Sequence, residues 1–222
     1  HYTVVEGKGK RIVKYSYKTG LPVGDLVDLS KIEDCPIQYI EDYTFNANES
    51  RVLLCTNINP IYRRSFTADY YIYDFKNKDM KPLSEGGSQQ LATFSPDGLR
   101  VAFVRDNNIF VHDLRFGSER QITFDGKFNH IINGAPDWVY EEEFAFNRAF
   151  EWAPDGSALA YIKFDESEVR EFQMNMFEGQ RPALEANKLY PSNYTYKYPK
   201  AGEKNSKVSV HVYDVNDRTT LK

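Results

Sequence analysis

FSPDGLRVAFV (Phe94–Val104) recurs as WAPDGSALAYI (Trp152–Ile162). Both read aromatic, small, Pro, Asp, Gly, three variable residues, then Ala, an aromatic and an aliphatic residue. Pro presets its own dihedral, Asp accepts hydrogen bonds from the chain just beyond it, and Gly takes a positive φ. Each copy therefore predicts a tight turn that delivers the chain into an apolar strand. A degenerate third copy is FNANESRVLLC (Phe45–Cys55). A second piece follows each copy: DYYIYDF (Asp69–Phe75), NIFVHDL (Asn108–Leu114) and VSVHVYDV (Val208–Val215). Two of these lead through a polar turn to a further short segment, KDMKPLS (Lys78–Ser84) or SERQITF (Ser118–Phe124). Strand, turn, strand, polar turn, strand at this spacing is the mark of propeller blades. A β-sandwich accommodates the strands but does not predict the repeat.

The expected fold is thus all-β, a partial β-propeller of four-stranded antiparallel blades. Three units, with a leading strand in RIVKYSYKTG (Arg11–Gly20), fall short of a closed ring. Residues 1–222 therefore read as the front blades of a longer propeller. In the last unit the second and third strands are far apart, which predicts an insertion over 165–207. Its Met, Tyr and Phe content suits an arm that packs on a partner chain.

Composition agrees. Of 222 residues 41% are hydrophobic, enough for a sizeable core, and 16 Tyr with 15 Phe favour strands. The net charge of −4 is small and mixed in sign, which argues against a nucleic-acid partner. No apolar run approaches the ~20 residues of a membrane helix. Cys35 and Cys55 can be one disulfide or two thiols; Cys55 ends the apolar run RVLLC and reads as a core thiol.

The usual catalytic patterns are missing. EGGSQQ (Glu85–Gln90) lacks the final Gly of a nucleophile elbow. No Cys/His cluster has metal-ligand spacing, and no Gly-rich phosphate loop is present. His112 and His211 occupy equivalent places in repeated strands and read as strand residues. What remains is DWVYEEEFAFNRAFEW (Asp137–Trp152), three adjacent glutamates among bulky aromatics. Asp137 is a plausible N-cap for a helical turn, on which neighbouring side chains lie ~100° apart and can converge. Glu142 and Glu143 can then approach one cation. A primary ammonium offers three donors and relieves the repulsion between paired carboxylates. Calcium wants more oxygens than this run presents, and a glycosidase pair must stand across a cleft.

DWVYEEE also resembles the double-glutamate motif of the dipeptidyl peptidase IV family, within the prolyl oligopeptidase group of serine peptidases. The likeness extends to YRRSFTADYYIYD (Tyr62–Asp74), to FSPDGLRVAFVRDNNIFV, to NGAPDWVYEEE followed by WAPDGSALAYIKFDESEV, and to YPKAG (Tyr198–Gly202). It covers about Asp42 to Asp214, and the variant looks like that of the bacterial enzymes of the Bacteroides–Porphyromonas group. The resemblance implies an eight-bladed propeller over a C-terminal α/β-hydrolase domain that holds the catalytic triad and oxyanion hole. Those parts lie beyond Lys222, so no catalytic residue is expected in this chain. It further implies that Glu142 and Glu143 bind the free N-terminus of a peptide. Arg63 would contact the substrate carbonyl and steady the glutamates. Xaa-Pro or Xaa-Ala dipeptides would then be released. No cofactor or metal is implied. A homodimer formed through the 165–207 arm, and a periplasmic, cell-surface or secreted location, are. A tripeptidyl peptidase of the same family and a non-catalytic propeller binding module are the alternative functions.

Overall fold

In the computed structural model, which describes residues 1–177 and 189–222, the turn aspartates act as the repeat requires. Asp97 Oδ1 accepts from Leu99 N at 2.9 Å, and Asp155 Oδ1 accepts from Ser157 N at 3.0 Å. Gly98 and Gly156 take φ +68° and +72°. The degenerate copy folds the same way with other residues. Asn48 Oδ1 accepts from Ser50 N at 3.1 Å, and Glu49 takes φ +54° where the other copies have Gly.

The chain divides into two units, residues 1–58 with 68–88, and residues 59–67 with 89–222. The first holds an antiparallel sheet of β1 (Tyr2–Glu6), β2 (Arg11–Tyr15) and β3 (Pro22–Asp28). The leading strand expected in Arg11–Gly20 is therefore the middle one of three. A four-stranded antiparallel sheet follows: β4 (Asp42–Phe45), β5 (Arg51–Pro60), β6 (Phe66–Asp74) and β7 (Asp79–Pro82). Val52 and Leu54 of β5 pack with Ile12, Val27, Ile40 and Tyr73 in one core cluster. Cys35 and Cys55 are both free thiols, and burial pushes the Cys55 thiol up to about 12.

The second unit contains the four-stranded sheet β8 (Gln90–Phe94), β9 (Arg100–Arg105), β10 (Asn108–Asp113) and β11 (Ser118–Gln121), paired in chain order. These sheets are the blades of a partial β-propeller. Val101 to Val104 of β9 are all buried, which explains a near-continuous apolar run where a one-sided strand would alternate. The next sheet is built differently. Its first strand is split into β12 (Ile131–Asn133) and β13 (Phe150–Trp152), with helix α1 (Trp138–Phe144) between them. Both pieces pair with the same edge of β14 (Ala158–Asp165), β12 opposite Lys163–Asp165 and β13 opposite Leu159–Tyr161.

Between them lies Ile162. Gly134 N donates to Ile162 O at 3.0 Å, and Ile162 N donates to Ala149 O at 2.8 Å. In an uninterrupted antiparallel strand one residue would supply both groups. Here Gly134 supplies the N–H and Ala149 the C=O, and Ala149 N closes the gap onto Gly134 O at 2.9 Å. The helix is thus an excursion from one strand position. Its base is locked into the ladder.

After β14 comes a two-stranded hairpin, β15 (Glu171–Met176) with β16 (Ser192–Lys197), inside the segment read as an arm. Residues 178–188 of that segment lie outside the described residues. The chain then rejoins the sheet as β17 (Lys207–Asp214) and β18 (Thr219–Leu221). Phe150, Trp152, Leu159, Tyr161 and Tyr213 of this sheet share a core with Ala102, Val104, Ile109 and Val111 of the preceding one.

Gly134 is the hinge point of the split strand, with φ +77°. A Cβ there would meet Ile109 Cγ1 at 2.8 Å and Cδ1 at 2.9 Å, in a core that cannot yield freely. Gly134→Ala should cost about 1–3 kcal/mol and lower the melting temperature by about 3–10 °C. Gly202→Ala, at φ +85° with nothing within 4 Å, should cost less. Equal melting temperatures for the two variants would show that the close approach at Gly134 is not tight.

Candidate functional site

A seven-residue helix does not hold itself together in water. Here its start is capped and its sides are pinned. Asp137 accepts from Tyr140 N at 2.9 Å as the N-cap, and its other carboxylate oxygen accepts from Ser206 Oγ. The Tyr140 ring meets buried Phe164 edge-on at 5.0 Å, and Trp138 lies 4.6 Å from Tyr198 between ring centroids. Ala145 ends the helix in the left-handed region, at φ 58° and ψ 36°.

The three glutamates on this helix have three different environments. Glu141 is 1% exposed. Its Oε1 accepts from the backbone N–H groups of Arg64 at 2.7 Å and Ser65 at 3.0 Å. Glu142 is half-buried and takes both of its hydrogen bonds from Arg63 Nε, at 2.8 Å and 3.0 Å. Glu143 is exposed and has no ion-pair partner among the described residues. Arg64 exposes its side chain, but its backbone carries one of the bonds to Glu141. Its carbonyl accepts from Asn147 Nδ2 at 3.1 Å. The segment that presents Arg63 is thereby fastened to the glutamate helix and to the chain that follows it.

The charge balance is negative by design of the local chain. Glu142 and Glu143 sit in the last turn, where the helix contributes partial negative charge and no basic residue offsets it. Among the described residues Arg63 answers one carboxylate through Nε alone, which leaves its two amino groups available to a further acceptor. The site can therefore hold a cationic group against Glu142 and Glu143 and offer hydrogen-bond donors beside it. Among the described residues no group of His, Cys, Asp and Glu is arranged to hold a metal ion.

Several contributors are not evident from the sequence. Glu166 is buried, and that burial, with Asp137 and Asp165 near by, pushes its carboxyl up to about 7 against the pull of Lys197. Burial, with Tyr194 and Glu166 near by, holds the Tyr62 phenol well above its ordinary value. Asn147 and Glu141 bind backbone, and backbone partners leave no sequence signature. The one available signal is helical phase: Asp137 and Glu141 are four apart and share a face, so a buried cap places Glu141 inward too.

Residues 46–222 match the family model described as the dipeptidyl peptidase IV N-terminal region. A probable dipeptidyl-aminopeptidase B from Podospora anserina is 40% identical over 173 residues, covering 74% of this chain and 18% of that protein. A probable dipeptidyl peptidase 4 from Aspergillus fumigatus is 38% identical over 176 residues, covering 78% of this chain and 22% of that protein. Among solved structures, Porphyromonas gingivalis dipeptidyl peptidase 4 superposes with a TM-score of 0.92 at 46% identity, over 100% of this chain and 30% of that one. The chain thus spans about a fifth of the length of these curated relatives.

Glu141→Ala removes the acceptor of one buried and one part-buried N–H group and should destabilise the unit by about 2–4 kcal/mol. Denaturant unfolding checks this; a loss below about 1 kcal/mol would mean that water replaces the carboxylate. Glu166 binds its proton more tightly folded than unfolded, where its value is near 4.5. Its contribution to stability is then fully present below about pH 4.5 and is lost as pH rises through about 7. Glu166→Gln should flatten that slope and melt higher than wild type at pH 8. Parallel melting curves from pH 4.5 to 8 would exclude Glu166 as the titrating group.

Proposed function

The chain belongs to the family of dipeptidyl peptidase IV N-terminal regions, and on that premise we propose that it is the substrate-selecting propeller portion of a serine exopeptidase. Glu142 and Glu143 anchor the ammonium of a peptide's free N-terminus. Arg63 orients Glu142 and turns its remaining donors toward the first substrate carbonyl. The observation that carries this reading is the Arg63–Glu142 pair beside the exposed Glu143, which has no ion-pair partner among the described residues, on a helix rooted in the sheet.

The physics favours an ammonium. Two carboxylates on one short helix repel each other, and one of them already has its cation. A guest with three donors lowers the remaining repulsion and makes charge-assisted bonds to both. Arg63 brings a planar fork that spans a carboxylate and a carbonyl, which a lysine cannot do. A terminus held in this way fixes the distance to any nucleophile supplied by the rest of the protein. A fixed distance brings one peptide bond, and no other, into the reactive position. With the nucleophile on a hydrolase domain, the product is an Xaa-Pro or Xaa-Ala dipeptide.

The arm belongs to the same proposal as a contact for a second copy of the chain. Phe172, Met174 and Phe177 are exposed on and beside β15, and Leu189 and Tyr190 on the approach to β16. Apolar side chains grouped in this way mark an interaction surface.

The test uses the native, full-length gene product and an Xaa-Pro anilide with its amine free or acetylated. Only the free form should be cleaved. Glu142→Ala and Glu143→Ala should each lower kcat/KM roughly 100-fold, and Arg63→Ala roughly tenfold, with melting temperatures unchanged. Equal cleavage of the acetylated anilide, or wild-type turnover in both glutamate variants, would remove the amine-anchoring role.

A further inference from the structure

Arg63 is 69% exposed along its side chain, so packing does little to aim it. Its direction must come from the backbone that carries it, the connection 61–65 between β5 and β6. That connection closes on itself where Ser65 O accepts from Ile61 N at 2.9 Å and from Tyr62 N at 3.3 Å. Outside partners grip it just after Arg63. Arg64 N and Ser65 N donate to one oxygen, Glu141 Oε1, at 2.7 Å and 3.0 Å. Bonds that converge on a single acceptor form a pivot, about which a short connection can still tilt. The tie that opposes the tilt is Asn147, whose Nδ2 donates to Arg64 O at 3.1 Å. The N–H and the C=O of Arg64 are then both held, from points on either side of Glu142 and Glu143.

Asn147 is firmly mounted for this task. Ala145 leaves the helix in the left-handed region, at φ 58°, and so turns the chain. On a continued helix Asn147 would stand about 240° round from Glu141 and could not share a partner residue with it. Beyond Asn147, Ala149 O accepts from Ile162 N in the sheet at 2.8 Å. The bond from Asn147 lies in an exposed setting, so its loss costs the fold little, unlike loss of the buried Glu141 carboxylate.

We propose that Asn147 is a positioning residue for Arg63: by holding the Arg64 carbonyl it sets the angle at which the guanidinium meets Glu142 and the peptide terminus. This rests on the amine-anchoring reading above and adds to it a residue from outside the acidic run. Asn147 acts through Arg63, on how well the terminus is held, and the reacting bond is elsewhere.

The test uses Asn147→Ala in the full-length protein. With a free-amine Xaa-Pro anilide, KM should rise roughly three- to fivefold, kcat should change less than about twofold, and the melting temperature should hold. In an Arg63→Ala background Asn147→Ala should add nothing, because its route to the substrate is gone. An unchanged KM in Asn147→Ala beside a raised KM in Arg63→Ala overturns this proposal and leaves the anchoring role standing. Multiplying effects in the double variant also overturn it, since Asn147 would then act through the helix. So does a lowered melting temperature with kcat and KM impaired together, the mark of a purely structural bond. An unchanged KM in Arg63→Ala overturns the anchoring role and this proposal together.

Discussion

The carboxylate of Glu141 is buried against the backbone N–H groups of Arg64 and Ser65, and the directions of its neighbours follow from that. A charge or proton-bearing group inside a protein must be hydrogen-bonded or it unfolds its surroundings. Glu141 meets that demand at one oxygen, Oε1, by drawing in a segment distant in sequence, while its buried Oε2 has no partner among the described residues. With Glu141 pointing inward, the ~100° step of the helix leaves no choice for the next two residues. Glu142 turns along the surface to Arg63, and Glu143 turns outward. The same bond brings Arg63 to Glu142, because Arg63 immediately precedes the residues whose amides are held. One buried carboxylate thus sets both the spread of the acidic run and the place of its counter-ion.

Such an arrangement gathers negative charge where a helix least favours it. Carboxylates in the last turn meet the negative end of the backbone dipole, and Asp137 and Glu166 add further acid beneath. The unit tolerates this because the strain is distributed over rigid neighbours. The excursion begins and ends in ladder hydrogen bonds around Ile162, and its aromatics lean on Phe164 and Tyr198. A site built on a floppy loop would relax by letting the acids separate. Here the helix is held, so Glu142 and Glu143 keep their directions when a cation arrives.

The blades are legible in the sequence because their turns use side chains that act on their own backbone. Asp97 and Asp155 bond the residue two further on, and the same bond at Asn48 identifies the degenerate copy. The N-cap at Asp137 is legible for the same reason. The split first strand is not. Gly134 and Ala149 share one strand position through main-chain atoms, and any sequence can offer those. The inward glutamate is half-legible: the aromatics around the run imply a packed surface, but the amides that receive Glu141 lie in another part of the chain.

The split strand separates inheritance of the fold from inheritance of the site. Because Gly134 and Ala149 jointly occupy a single place opposite Ile162, residues 135–148 can be regarded as a cassette set into an otherwise ordinary blade. A blade with one residue there keeps the same register on both sides. Such a junction lets evolution, or a protein engineer, lengthen, replace or delete the acidic helix while the surrounding sheet retains its pairing. The scaffold can therefore outlast any one recognition chemistry mounted on it.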